Sequence, residues 1–206
     1  ATGQEPDMVW HADTTMADTD LIVLPGGFSY GDYLRCGAVA AKANIMQEVK
    51  RRVDAGTPML AICNGFQIAC EVGLLPGALM SNACQTYLCR RMPLQVATTD
   101  SPFLTAYGKG DTITIPIAHH DGNYFADADT LDMLEAEDRV AFRYATAAGE
   151  LTDAANPNGS QRNIAGILSE NRRVLGMMPH PERAADTALG GTDGAPMFSA
   201  IVEALS

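Results

Sequence analysis

The sequence predicts an α/β fold: a three-layer arrangement with a mostly parallel central sheet, helices on both faces, and added antiparallel strands. Three observations lead there. Apolar runs at residues 21–24 and 59–62 have the length of buried strands. Each is followed by a stretch with helical character, and the order β-α-β-α calls for a parallel sheet. Both runs end in sharp turns, Pro25-Gly26-Gly27 and Cys63-Asn64-Gly65. One edge of the sheet therefore collects the reactive residues, where ligands bind in open α/β sheets.

The elements follow in order. After the first strand, residues 38–54 carry Val39, Ile45, Val49 and Val53, the last three at i+4 spacing with Lys and Arg between. This is one amphipathic helix, ended by Gly56. The strand at 59–62 runs into Cys63, and a helix over 64–72 starts near Asn64. From about 84 to 150 the character changes. Short β-rich pieces at 94–98, 112–117 and 140–144 read as added antiparallel strands and hairpins, not as a second domain. Asn156-Pro157-Asn158-Gly159 is a turn. Residues 164–168 and 173–178 form a hairpin that delivers His180 to a strand end. The glycine-containing stretch 185–194 is expected to be mobile. A last helix, 195–205, places Phe198, Ile201, Val202 and Leu205 on one face. The 206 residues, 47% hydrophobic and without internal repeats, suit a single domain spanning 1–206.

The corner at Cys63 carries the chemistry. A cysteine between a buried strand and a helix start meets unpaired N–H groups and the helix dipole, which favour a thiolate. The bland alternative is a small core hydrophobe, the usual fate of a cysteine. Met178-Pro179-His180-Pro181-Glu182 decides against it. Pro181 pushes His180 toward an extended backbone, where residues two apart share a face. Glu182 can then accept the imidazole N–H and orient the ring, which completes a nucleophile, base and orienter set of Cys63, His180 and Glu182. The glycines at 26 and 27 let backbone approach closely. Beside a cysteine nucleophile they suggest an oxyanion site, with Gly27 N–H and Asn64 N–H as the donors. The segment matches neither G-x-G-x-x-G nor G-x-x-x-x-G-K-[ST], so no dinucleotide or phosphate loop is read there.

These residues resemble a family. Gly26-Gly27-Phe28-Ser29-Tyr30-Gly31-Asp32-Tyr33-Leu34-Arg35-Cys36-Gly37, Cys63-Asn64-Gly65-Phe66-Gln67, Gly73-Leu74-Leu75-Pro76-Gly77, Ile115-Pro116-Ile117-Ala118-His119, Asn156-Pro157-Asn158-Gly159-Ser160 and His180-Pro181-Glu182-Arg183-Ala184 are similar to class I (triad) glutamine amidotransferases. More narrowly, they resemble the glutaminase subunit or domain of phosphoribosylformylglycinamidine synthase. The resemblance spans nearly the whole chain. It implies a flavodoxin-like sheet, a Cys63 thioester, and glutamine held partly by Gln67. It also implies a large ATP-dependent synthetase partner, with or without a small bridging subunit, in the cytoplasm. No cofactor is expected on this chain; ATP and magnesium belong on the synthetase. Three departures stand out. The family opens with a strand ahead of the segment at Ala1-Thr2-Gly3, so that strand is expected to be missing. Ala61 occupies the place of a usual glycine. His120-Asp121-Gly122 stands where Gly-Glu-Gly is more common.

Composition bounds the alternatives. A net charge of −11, from 14 basic and 25 acidic residues, disfavours nucleic acid as a partner. No apolar run has the roughly 18 residues of a membrane helix. Five cysteines fit a reducing compartment and no disulfide framework. Cys84 and Cys89 approach metal-ligand spacing, but no second pair completes a zinc site, and adjacent His119 and His120 would face opposite ways on a strand. Cys70 is expected in the core, and Cys36 in core or surface packing. The competing readings are another cysteine-elbow amidotransferase or hydrolase, and a non-catalytic binding subunit. The first predicts other substrates. The second usually loses one of the three catalytic residues, and this chain keeps all of them.

Overall fold

The computed structural model describes residue 3 and residues 5–205. Ala1 and Thr2, where the resemblance expects a preceding strand, lie outside the described residues. The elements in chain order are β1 (Ile22–Leu24), α1 (Ile45–Asp54), β2 (Met59–Ile62), α2 (Asn64–Glu71), β3 (Ala78–Met80), β4 (Leu88–Val96), β5 (Thr112–His119), β6 (Asn123–Phe125), α3 (Ala128–Ala136), β7 (Val140–Tyr144), β8 (Ile164–Leu168), β9 (Val174–Met177) and α4 (Ala195–Leu205).

The main sheet has seven strands in the order β1-β2-β9-β8-β7-β4-β5. β1, β2 and β9 are parallel, with Leu24 opposite Ala61 and Ile62 opposite Met177. From β9 onward every neighbour is antiparallel. The parallel part is thus a three-stranded core, and the antiparallel additions outnumber its pairings. β2 and β9 are wholly buried, which matches their continuous apolar sequences. Their shared C-terminal edge carries Cys63 and the approach to His180.

Two glycines set how closely the layers meet. A Cβ on Gly65 would lie 2.1 Å from the Leu24 carbonyl oxygen, so the first turn of α2 sits directly on the end of β1. A Cβ on Gly176 would strike the Phe66 ring at 2.3 Å, so β9 leaves room for that ring in the core. Ala61, in place of the usual glycine, is fully buried without disturbing β2.

Several expectations need correction. The helix expected over 38–54 is split: a 3₁₀ turn covers Ala40–Lys42, Ala43 is extended, and α1 begins at Ile45. The break is held by tertiary bonds, Ile45 N–H to His11 O and Asn44 Nδ2 to Ala12 O. β4 starts six residues before the expected strand, with Arg90 and Arg91 exposed on it. α3 and the small antiparallel sheet of β3 with β6 are additions to the expected elements. The stretch 185–194 contains a 3₁₀ turn at Thr187–Leu189 and a bridge from Asp186 to Gly191.

Candidate active site

Cys63 stands in a strained corner. Its φ of 51° and ψ of −105° lie where non-glycine residues are rare. The surroundings impose it: Cys63 N–H bonds Met177 O at 2.7 Å, and Cys63 O accepts Gln67 N–H as α2 begins. Such an elbow lifts a nucleophile off the sheet edge at a helix N-terminus.

His180 follows β9 and is 1% exposed. Its N–H bonds Pro116 O at 2.7 Å. Its Nδ1 lies 2.7 Å from Glu182 Oε1. A carboxylate only accepts, so the proton sits on Nδ1 and Nε2 is left free as a base. The expected pairing is present, but by a different route. Pro181–Ala184 is a 3₁₀ turn, so Glu182 reaches His180 across a turn and not along an extended strand.

Gly26 joins the two halves. A Cβ there would lie 2.7 Å from His180 Cε1 and 3.4 Å from Cys63 Cβ. Cys63 and His180 therefore both pack against one glycine, the neighbour of the anticipated Gly27. Gly27 itself borders open space. Ser29 N–H bonds Asn64 Oδ1 at 3.3 Å, which ties this segment to the elbow helix.

The resting electrostatics differ from the sequence expectation. Burial pushes the Cys63 thiol up to about 12, and the Asn64 amide N–H offsets only part of that. Desolvation thus outweighs the helix N-terminus at Cys63. Its Sγ faces Ala118 O at 3.8 Å, while His180 Nε2 is buried with no hydrogen-bond partner among the described residues. Cys63 and His180 adjoin at Gly26 but are not hydrogen-bonded to each other.

Gln67 is 5% exposed and fully engaged. Asn64 Nδ2 donates to its Oε1 at 2.8 Å, and its Nε2 donates to Asp121 O at 2.6 Å. Below it lies a polar group that sequence reasoning left unassigned. Cys36 Sγ approaches Asp121 Oδ2 at 3.4 Å, and Ser81 Oγ and His120 Nδ1 also reach the Asp121 carboxyl. Burial opposes ionisation of Asp121, yet these hydrogen bonds hold it below its ordinary value. Burial raises both Asp32 and Cys36. Among the described residues, no group of three or more His, Cys, Asp or Glu side chains is arranged to hold a metal ion.

An elbow cysteine, a carboxylate-oriented histidine at the next strand end and a close glycine turn define the class of triad amide hydrolases. The family model of the CobB/CobQ-like glutamine amidotransferase domain matches residues 6–190. The phosphoribosylformylglycinamidine synthase subunit PurQ of Rhodospirillum rubrum is 57% identical over 205 residues, covering 99% of this chain and 89% of the relative. The subunit of the same name from Rhodopseudomonas palustris is 52% identical over 207 residues, covering 100% and 89%. A solved structure, that of PurLQS from Thermotoga maritima, aligns with a TM-score of 0.83 at 43% identity over 94% of this chain and 84% of that one. The chain belongs to the glutamine amidotransferase family, in its PurQ branch.

Proposed function

We infer that this chain is the glutaminase component of phosphoribosylformylglycinamidine synthase. It hydrolyses glutamine to glutamate and ammonia and supplies the ammonia to an ATP-dependent synthetase, which converts formylglycinamide ribonucleotide to formylglycinamidine ribonucleotide. The observation that carries the chemistry is the strained Cys63 elbow packed, through Gly26, against a His180 whose free nitrogen is fixed by Glu182.

The steps follow from those positions. Sγ turns from Ala118 O toward His180 Nε2 and gives up its proton there. The thiolate attacks the carboxamide carbon, and the Gly27 and Asn64 N–H groups stabilise the oxyanion. The C–N bond breaks as His180 returns the proton to the departing ammonia, leaving a thioester on Cys63. Water then attacks the thioester carbon, losing a proton to His180. Glutamate leaves, and the thiol is restored. Gln67 acts in glutamine binding chiefly by holding Asp121 and Asn64 in place.

Ammonia freed into water becomes mostly ammonium, a poor nucleophile, so the activity is useful only beside the synthetase. ATP and magnesium act on that partner, in the cytoplasm. The segment from Gly26 to Gly37 is the coupling element: its Tyr33 and Leu34 are 77% and 92% exposed. Among the described residues, no helix is long and apolar enough to cross a membrane.

Glutamate release by the chain, with and without its synthetase, tests this reading. Wild type should be slow alone and faster in the complex, and Cys63→Ala should lose on the order of 10³-fold or more in kcat. Release that survives Cys63→Ala would sink it.

A further inference from the structure

On the strand whose backbone carbonyls touch Cys63 and His180 stands a second buried imidazole whose lone pair the mechanism leaves unused. His119 ends β5 and is 2% exposed. Its Nδ1 lies 3.0 Å from Asn82 Oδ1. Asn82 reveals where the proton is. Its Nδ2 donates to Thr86 O at 2.9 Å and His119 O at 3.0 Å, both pure acceptors, so the opposite atom is oxygen. That oxygen also accepts the Gly122 N–H at 3.1 Å. It has no proton to give, so His119 Nδ1 donates and Nε2 is a bare acceptor. Nε2 is buried and has no partner among the described residues.

The ring is clamped. A Cβ on Gly122 would strike it at 2.3 Å, and the Gly122 carbonyl is held by Asn158 Nδ2 at 2.7 Å and Ser160 Oγ at 3.2 Å. Burial, and then the neighbouring His180, lower the imidazole to about 4, so it is neutral at physiological pH. The strand that carries it touches both reacting residues: Ala118 O faces Cys63 Sγ, and Pro116 O accepts the His180 N–H.

We propose that His119 Nε2 accepts an N–H of the substrate's carboxamide and so selects primary amides over the carboxylate product. The proposal rests on the glutaminase reading and names the group that recognises the scissile amide. A primary carboxamide offers two N–H donors to a bare lone pair. The carboxylate of glutamate offers only lone pairs and negative charge, which that nitrogen repels.

The test compares glutamine with the γ-methyl ester of glutamate, whose scissile group has no N–H, on the chain assembled with its synthetase. His119→Asn keeps a donor toward Asn82 but removes the distal acceptor, and His119→Gln restores an acceptor near the Nε2 position. His119→Asn should lower the preference for glutamine over the ester about 10- to 100-fold in kcat/KM and strengthen inhibition by glutamate. His119→Gln should recover part of that preference. Equal losses on both substrates, which a purely structural role would produce, or an unchanged preference would overturn the proposal. A wild-type complex that cleaves neither substrate through Cys63 would instead remove the glutaminase reading, and this proposal with it.

Discussion

The elbow at residues 59–67 and the glycine-rich segment at 26–37 flank the same reactive centre and are built in opposite ways. In the elbow, Met59 to Cys63 are at most 4% exposed, and the backbone leaves ordinary geometry at one residue, Cys63. Strand pairing on both sides and the start of α2 hold that distortion. In the glycine-rich segment, three non-glycine residues have left-handed backbone: Tyr30, Asp32 and Leu34, with φ of 53°, 57° and 70°. Two buried polar atoms there, Ser29 Oγ and Asp32 Oδ1, lack partners among the described residues. Its anchors sit toward its two ends: the Ser29–Asn64 bond and Tyr30 Oη near His11 Nδ1 at 2.9 Å on one side, and the Arg35–Glu71 ion pair, the Cys36–Asp121 contact and Gly37 against α2 on the other, with Tyr33 and Leu34 exposed between them. Strain is durable where neighbours over-determine it and available for rearrangement where they do not. The elbow is the fixed jaw of the site, and the segment is the jaw that a partner covering Tyr33 and Leu34 would reorder.

The largest expected contrast is in thiol reactivity. Cys84 is exposed, and hydrogen bonding with Thr86 lowers it, whereas burial holds Cys63 near 12. The thiolate fraction falls tenfold for each unit of pH below the pKa. Iodoacetamide at pH 7.5 should therefore label Cys84 about 10²- to 10³-fold faster than Cys63 in the free chain. The Cys63 rate should still be climbing at pH 10, where that of Cys84 has levelled off. Equal labelling would mean that the elbow is far more open than its packing indicates.

The next contrast is in stability. Gly65→Ala places a methyl 2.1 Å from the Leu24 carbonyl, against backbone that cannot yield cheaply. It should cost about 3 kcal/mol in urea unfolding. Gly27→Ala adds its methyl to open space and should stay within about 0.5 kcal/mol of wild type. Similar values for the two would erase the distinction between fixed and movable jaws. The smallest effect is expected at the exposed rim. Leu34→Asp should weaken association with the synthetase about tenfold and leave the unfolding midpoint unchanged. A binding isotherm unaffected by the change would take the coupling role away from this segment.

Much of this site was legible in advance because it depends on local rules. An apolar run stopped by Cys63-Asn64-Gly65 announces a strand, a corner and a helix, and His180-Pro181-Glu182 announces a histidine with a carboxylate in reach. α3 has a readable local signal as well: Asp127 caps it by accepting the Thr130 N–H at 2.8 Å, and Leu131 and Leu134 mark its buried face. Other features left none. The pairing of β3 with β6 joins Leu79 to Tyr124, far apart in the chain. The split before α1 depends on a loop around His11 that crosses it. The Cys36–Asp121 group comes from two distant segments meeting under Gln67.

The sequence by itself determined the α/β alternation, the corner at Cys63 and the pairing of His180 with Glu182. Each of these follows from side-chain periodicity or from turn chemistry within a few residues. Only the tertiary structure decided how strongly burial raises the Cys63 thiol, the choice of Gly26 as the glycine that touches both Cys63 and His180, and the bare lone pair of His119. These depend on which distant groups exclude water and which donors arrive, and desolvation and hydrogen-bond satisfaction are properties of the packed chain.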